Sequence, residues 1–238
     1  MRAMILAAGR GQRLRPLTDE TPKPLLEVGG RPLIVYHIEA LVRAGMRELV
    51  INLGHLGGRL RQALGDGRAY GARIAYSDEG TPPLETGGGV VRALPLLGDA
   101  PFVVLNGDVW TDYPLGRLPA RPEGLAHLVL VDNPPHHPGG DFALAHGRVR
   151  LEGEPRLTFS GLGVYRPELF GGRRPDRFPL GPVLAEAAAR DALGGEHYRG
   201  TWLDVGAPER LRALDRWLRG GRDVPLGVSR EVGSRDGD

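Results

Sequence analysis

The stretch AMILAAGRGQRLRPLTDETPKPL, Ala3–Leu25, decides how the rest of the chain is read. It begins as a short apolar run ending in glycine, the pattern of a buried strand. A loop carrying Gly9, Gly11, Arg10, Arg13 and Arg15 follows, and then Lys23 stands between two prolines. A glycine-rich loop leaving the first strand of a parallel sheet suits a phosphate, because glycine lets backbone N–H groups reach an anion unobstructed. Lys23 is the only lysine; the chain has 31 Lys+Arg, and the other 30 are arginine. Thr21 and Lys23 each precede a proline, which favours extended backbone, while Pro22 and Pro24 fix φ. The segment reads as a stiff rail bringing one compact ammonium to one place. A narrow position between two phosphates accepts that point charge and excludes the planar guanidinium fork.

Outward from this stretch, apolar β-rich runs alternate with helix-like segments. Strands are expected at Ala3–Gly9, Glu48–Gly54, Arg73–Glu79 and Phe102–Asp108. Between them lie an amphipathic helix from Pro32 to Gly45, a short helix near Gly57–Leu64, and a glycine-led helix running to about Leu94. This alternation predicts an α/β fold, a Rossmann-like, mostly parallel sheet flanked by helices, in a single domain. Ligands of such sheets sit at the carboxyl ends of the strands. The Gly9–Lys23 loop, the segment after Glu79, and Asp108 all fall there and should converge. The second half is less regular: strands at Leu125–Asn133 and Leu157–Tyr165, a hairpin around DFALAHGRVRL, a helix near Gly181–Arg190, the turn-rich GEHYRGTWLDVG, and a last helix from Pro208 with Leu211, Leu214 and Leu218 on one face. The domain is expected to span 1–219, with a nucleotide-type half (1–113) and an irregular half (114–219). The polar, glycine-rich 220–238 reads as a loose tail.

Composition narrows the function. A chain of 238 residues can bury roughly 70% of its unfolded surface, enough for a sizeable core. The formal net charge of +2 gives no polybasic surface and no reason to expect nucleic acid. With no cysteine there is no disulfide and no thiolate chemistry. No apolar run approaches the length of a membrane span, so a cytoplasmic protein is the default expectation.

Two familiar phosphate cradles fail. The dinucleotide fingerprint needs glycine or alanine where Leu14 stands, and an acid ending the second strand, where INLGH has none. The P-loop needs glycine before its lysine, and Pro22 occupies that position. A Schiff-base role for Lys23 lacks the usual apolar surroundings. Asp108, just past a buried strand, and Asp204, just before the last helix, fit a magnesium ion, which takes one or two carboxylates plus substrate phosphates. Either could equally be a turn or cap residue. In LETGGGV (Leu84–Val90) three consecutive glycines offer bare backbone to a flat nucleobase, or simply a sharp turn. His136–His137 lies between prolines on a loop where histidines are ordinarily solvated, and Asp141 at the end of that loop could accept hydrogen bonds from sugar hydroxyls.

LAAGRGQRLRPLTDETPKPL resembles the signature of the sugar-1-phosphate nucleotidyltransferases, and the resemblance continues through LETGGG, NGD and DVG over roughly Met1–Trp217. LETGGGVVRALPLLGDAPFVVLNGDVWTDY, GLAHLVLVDNPPHHPGGDF and GEHYRGTWLDVG are most similar to the branch that uridylylates N-acetylmuramic acid 1-phosphate in peptidoglycan recycling. The resemblance implies UTP and a sugar 1-phosphate as partners and Mg2+ as cofactor. Gly9, Gly11, Gln12 and Arg13 would wrap the triphosphate, with Arg13 facing the departing pyrophosphate and Lys23 bridging the reacting phosphates. The segment from Glu85 to Gly88 would hold the base, Asn106 would assist, Asp108 and Asp204 would hold magnesium, and Asp141 would contact the sugar. One departure stands out. Many relatives carry a Glu-Lys-Pro motif in the sugar half, where this chain has LEGEPRL and no lysine. Another sugar 1-phosphate, such as that of glucose or mannose, and a non-catalytic nucleotide-sugar-binding regulator remain alternatives.

Overall fold

The computed structural model describes residues 1–221. The chain runs β1 (Ala3–Leu6), α1 (Leu17–Glu20), the two-residue strands β2 (Glu27–Val28) and β3 (Arg31–Pro32), and α2 (Leu33–Arg43). It continues with β4 (Glu48–Leu53), α3 (Gly57–Leu64), β5 (Arg73–Asp78), α4 (Glu85–Leu97), β6 (Phe102–Asn106) and β7 (Val109–Thr111). Then come β8 (Ala126–Val131), β9 (Phe142–Ala145), β10 (Arg148–Arg150), β11 (Arg156–Tyr165), α5 (Leu180–Ala189), β12 (Leu193–Tyr198), β13 (Trp202–Asp204) and α6 (Pro208–Leu218).

Nine of these strands form one sheet, in the order β5-β4-β1-β6-β11-β8-β12-β10-β9. The first-half strands are parallel, as the alternation of elements predicts. In the second half β11 runs antiparallel to both β6 and β8, so the complete sheet is mixed.

Period-two alternation divides each central strand between two cores. Ala3, Ile5, Leu49, Ile51, Val103 and Leu105 point to the face covered by α2 and α3. Met4, Val50, Phe102 and Val104 point the other way, under α4 and α5. Both faces are therefore covered, and the exposed ends of the strands are where a ligand can enter. A third cluster joins Leu14 of the first loop, Leu26, Val28 and Leu33 to Leu203, Val205, Leu211 and Leu214. The last helix is thus packed onto the loop that leaves the first strand. The Gly29 N–H donates to Asp215 on that helix at 2.8 Å.

The segment expected to be turn-rich, GEHYRGTWLDVG, is instead strand-rich. β12 lies parallel to β8 inside the sheet, and β13 pairs with β7. Gly195 opens that stretch, yet a Cβ on it would stand 2.6 Å from Val149 and 3.0 Å from the Leu128 carbonyl. Glycine serves close approach of neighbouring strands there. Of the expected tail, Gly220 and Gly221 close α6 by hydrogen bonds to Trp217 and Arg216; the remainder lies outside the described residues.

Candidate active site

A cleft of about 740 Å³ opens at the carboxyl ends of β1, β4, β5 and β6. Gly9, Gly11, Gln12, Arg13, Lys23, Glu85, Asn106 and Asp108 all line it. The convergence expected from strand ends therefore holds for those eight residues. Gly88, Asp141 and Asp204 do not line it, for reasons given below.

The loop after β1 is built around Gly11. Its φ of +63° is left-handed, and a Cβ there would sit 2.8 Å from Thr18 Cγ2 and 3.3 Å from Lys23 Cβ. The Thr18 hydroxyl and the Leu14 N–H both donate to the Gly11 carbonyl, at 2.9 and 2.8 Å. Gly9 differs: nothing lies within 4 Å of where its Cβ would be. Its missing side chain keeps the cleft wall bare and answers no internal contact. Gly11→Ala combines a left-handed backbone with a clash, and should lower stability by about 2 kcal/mol. Denaturant unfolding checks this, and a midpoint equal to that of the unaltered protein would refute it.

Lys23 departs from the extended geometry expected before a proline. It opens a single 3₁₀ turn over Lys23–Leu25, closed by Leu25 N–H to the Pro22 carbonyl at 2.8 Å and Leu26 N–H to the Lys23 carbonyl at 3.1 Å. These hydrogen bonds outweigh the local preference. The turn points the side chain inward, where it is 8% exposed and its ammonium donates to Asp108 Oδ2 at 2.8 Å.

Asn106 ends β6 and is placed by a defect in the neighbouring strand. The register of β11 against β8 slips between Phe159 and Leu162, a β-bulge that leaves Gly161 at φ +80°. Ser160 anchors the bulge, donating to the Val129 carbonyl at 2.7 Å and accepting Trp202 Nε1–H on its own carbonyl at 2.9 Å. A Cβ on Gly161 would lie 2.5 Å from the Asn106 amide nitrogen. Gly161→Ala should therefore displace Asn106 and raise the apparent Kd for nucleotide about tenfold, beyond any loss of stability. Isothermal titration at a temperature where the variant is folded separates the two effects, and unchanged affinity would refute the first.

The far wall contains residues that sequence reasoning missed. Asn52 Oδ1 accepts the Ala7 N–H at 2.5 Å, and its amide donates to Glu79 Oε1 at 2.6 Å. Glu79 Oε2 accepts the Leu84 N–H at 2.7 Å. Burial pushes the Glu79 carboxyl above its ordinary range, opposed by the hydrogen bonds from Asn52 and Leu84. This relay ties the first loop to the start of α4, and its only sequence signal is a pair of polar residues closing apolar strands.

The three glycines at the start of α4 serve close packing. Cβ atoms on Gly87 and Gly88 would collide with Phe178 and with the Asp176 carbonyl, and one on Gly89 with Glu79. The Gly87 and Gly88 N–H groups donate to the Phe178 carbonyl at 3.0 and 3.1 Å. The bare shelf expected for a base at Gly88 is covered by the 171–179 segment of the second half. Glu85, before the glycines, stays on the cleft and forms an ion pair with Arg177 of that segment at 3.0 Å.

Asp204 stands beside the cleft. β7–β13 pairing sets it opposite Val109, and the Val205 N–H donates to the Asp108 carbonyl at 2.8 Å, so the two aspartates emerge side by side. Its Oδ2 is 3.0 Å from Arg210 and 3.3 Å from His136. Gly206, which follows, lines the cleft, and a Cβ on it would meet Asp204, Arg13 and Arg210 within 2.9 Å. Asp141 is turned to its own loop: its carboxylate accepts the Phe159 N–H at 2.8 Å and lies 3.0 Å from His137. Arg156, the cation nearest the missing Glu-Lys-Pro motif, donates to the carbonyls of Gly139, Leu151 and Asp141 and braces that loop.

Behind Asp108, His37 of α2 is buried, and its Nε2 has no hydrogen-bond partner among the described residues. Burial holds its imidazole down to about 4, against the opposing pull of Asp108 and the Val109 backbone. The fold therefore keeps it neutral where the unfolded chain, near 6.5, takes up a proton. Stability is full above pH 6.5 and falls on acidification, by roughly 3 kcal/mol at pH 4 from this group. His37→Phe should flatten the pH dependence by more than about 2 kcal/mol between pH 7 and 4.5. Urea unfolding at both values checks this; identical pH slopes in the two proteins would refute it.

A family signature described as "Nucleotidyl transferase" matches residues 2–142. The chain is 51% identical over 221 residues to the N-acetylmuramate alpha-1-phosphate uridylyltransferase of Neisseria meningitidis serogroup B, covering 89% of this chain and 96% of that one. It is 34% identical over 232 residues to the protein of the same name from Caulobacter vibrioides, covering 91% and 96%. In fold it resembles a Bacillus anthracis protein assigned as a glucose-1-phosphate thymidylyltransferase and solved with sucrose, at a TM-score of 0.80 and 20% identity over 94% of this chain and 97% of that one. With the phosphate-type loop, the lone lysine and Asp108 on one cleft and Asp204 beside it, these matches make the chain a member of the sugar-1-phosphate nucleotidyltransferase family.

Proposed function

We propose that the protein transfers a uridylyl group from UTP to N-acetylmuramic acid 1-phosphate, giving UDP-N-acetylmuramic acid and pyrophosphate, in cytoplasmic peptidoglycan recycling. The observation that carries this reading is the 51% identity to the Neisseria enzyme along nearly the whole length of both chains, which spans both halves of the sheet. The cleft suits the reaction. Its anion-facing end holds the glycine loop, Arg13 and Lys23, and its other end holds Glu79 and Glu85, whose charge disfavours phosphate and leaves that wall to the base.

A sugar 1-phosphate has a second pKa near 6 by analogy with other phosphate monoesters, so its attacking oxygen is already deprotonated at neutral pH. No general base is needed. The barrier is repulsion between two polyanions and the alignment of attack on the α-phosphorus. Backbone N–H groups of Gly9–Gln12 would hold the triphosphate, Lys23 would bridge the two reacting phosphates, and Arg13 would face the departing pyrophosphate. Asn106 would bind the nucleotide, and Asp141 would contact the sugar through its loop.

Asp108 and Asp204 fit a magnesium ion in kind: both are hard oxygen donors and emerge together from the β7–β13 ribbon. Magnesium takes one or two carboxylates and completes its shell with substrate phosphates. When bound, the ion supplies charge neutralisation and orientation of the phosphates.

The deciding experiment measures pyrophosphate release with magnesium, crossing ATP, CTP, GTP, UTP and dTTP against the 1-phosphates of N-acetylmuramate, N-acetylglucosamine, glucose and mannose. Release confined to UTP with N-acetylmuramate 1-phosphate is expected. Release with another pair overturns the substrate and keeps the mechanism; no release with any pair overturns the activity.

A further inference from the structure

The pair Glu85–Arg177 is costly in backbone terms and contributes little to the fold. Glu85 has φ +63°, a region where glycine is the default residue, yet the chain keeps a carboxylate there. Its side chain is 39% exposed and that of Arg177 62%, so their 3.0 Å ion pair is a surface pair of small worth to stability. Both nevertheless line the cleft. Arg177 comes from the second half, on a segment latched to the start of α4: the Phe178 N–H donates to the Leu84 carbonyl at 3.1 Å and the Leu180 N–H to Thr86 Oγ1 at 2.8 Å.

Two carboxylates stand on this wall. Glu79 has both oxygens bonded, to the Asn52 amide and the Leu84 N–H. Glu85 has Oε1 held by Arg177, while Oε2 has no hydrogen-bond partner among the described residues. The wall therefore presents one carboxylate oxygen without a hydrogen-bond partner among the described residues, beside a guanidinium with further donors. A carboxylate acceptor matches a ring N–H and meets a lone pair where the ring nitrogen is unprotonated. Uracil and guanine present such an N–H flanked by a carbonyl; cytosine and adenine present a lone pair in its place.

We infer that Arg177 is a specificity-determining residue: it holds Glu85 so that its free oxygen accepts the ring N–H of uracil, and donates to the neighbouring base carbonyl. This rests on the reading of the cleft as a uridylyltransferase site and assigns the base preference to a contact between the two halves of the chain.

The test uses the full chain and its Arg177→Met, Arg177→Lys and Glu85→Gln variants. Equilibrium binding of UTP, GTP, CTP and ATP is measured without acceptor, alongside kcat and KM for UTP with acceptor. Arg177→Met should weaken UTP and GTP about tenfold, leave CTP and ATP within about twofold, and raise KM with little change in kcat. Glu85→Gln, whose amide can also donate, should narrow the UTP-to-CTP preference most, and Arg177→Lys should restore part of it. Thermal melting should be unchanged in all three variants. An equal effect on all four nucleotides, or an unaltered UTP-to-CTP ratio in both Arg177→Met and Glu85→Gln, overturns the inference. If no acceptor supports pyrophosphate release, the uridylyltransferase reading fails, while the binding ratios still decide this one.

Discussion

Replacing Lys23 by arginine is expected to lower kcat by about 10²-fold while the protein stays folded, although the charge is conserved. The side chain is 8% exposed and its ammonium already sits 2.8 Å from Asp108 Oδ2. The backbone of Gly11 passes so close that a Cβ there would lie 3.3 Å from the Lys23 Cβ, and Pro22 and Pro24 stand on either side of the lysine, so the backbone has little room to retreat. A guanidinium is longer and planar, and would push either into Asp108 or into the space of the reacting phosphates. Steady-state kinetics with saturating nucleotide and acceptor read the result. Near-normal turnover would remove the geometric explanation for a single lysine among so many arginines.

Asp108→Asn should have a still larger effect, a loss of more than about 10³-fold in kcat, with an unchanged circular dichroism spectrum. Asp108 lies in the bend between β6 and β7, with its side chain 43% exposed, so its replacement leaves the strands on either side intact. The amide removes a hard anionic oxygen beside Asp204 and the counter-charge of Lys23 together. Raising magnesium should recover part of the rate in the unaltered protein at limiting metal, and none in the variant. If the two proteins respond alike across a magnesium titration, Asp108 is not a metal ligand.

The legibility of the site followed its chemistry. Residues in one contiguous loop, Gly9 through Lys23, were readable because glycine, proline and a lone cation each restrict the backbone or the charge locally. Asp108 was readable because it follows directly on an apolar strand that must be buried. Asn52, Glu79 and Arg177 were not: each belongs to a different part of the chain, and their roles arise only when distant segments are set side by side, as in Ala7 with Asn52, 45 residues apart, and Asn52 with Glu79, 27 apart. Asp141 was legible only in part. Its loop invites a ligand, and only the fold shows that its carboxylate also accepts the Phe159 N–H and lies 3.0 Å from His137.

The sequence by itself determined the parallel first half, the two-faced burial of β1, β4 and β6, the position of the phosphate-type loop, and the last helix with its buried leucines. These follow from hydrophobic period and turn chemistry, which act over a few residues. Only the tertiary structure decided the rest. Gly195, locally turn-like, became part of a strand because a Cβ there would stand 2.6 Å from Val149 of β10 and 3.0 Å from the Leu128 carbonyl of β8. The glycines at the start of α4, locally an open shelf, became a contact because Phe178 and Asp176 arrive from the other half. Glycine specifies that space is free, and only the packed partners specify what fills it.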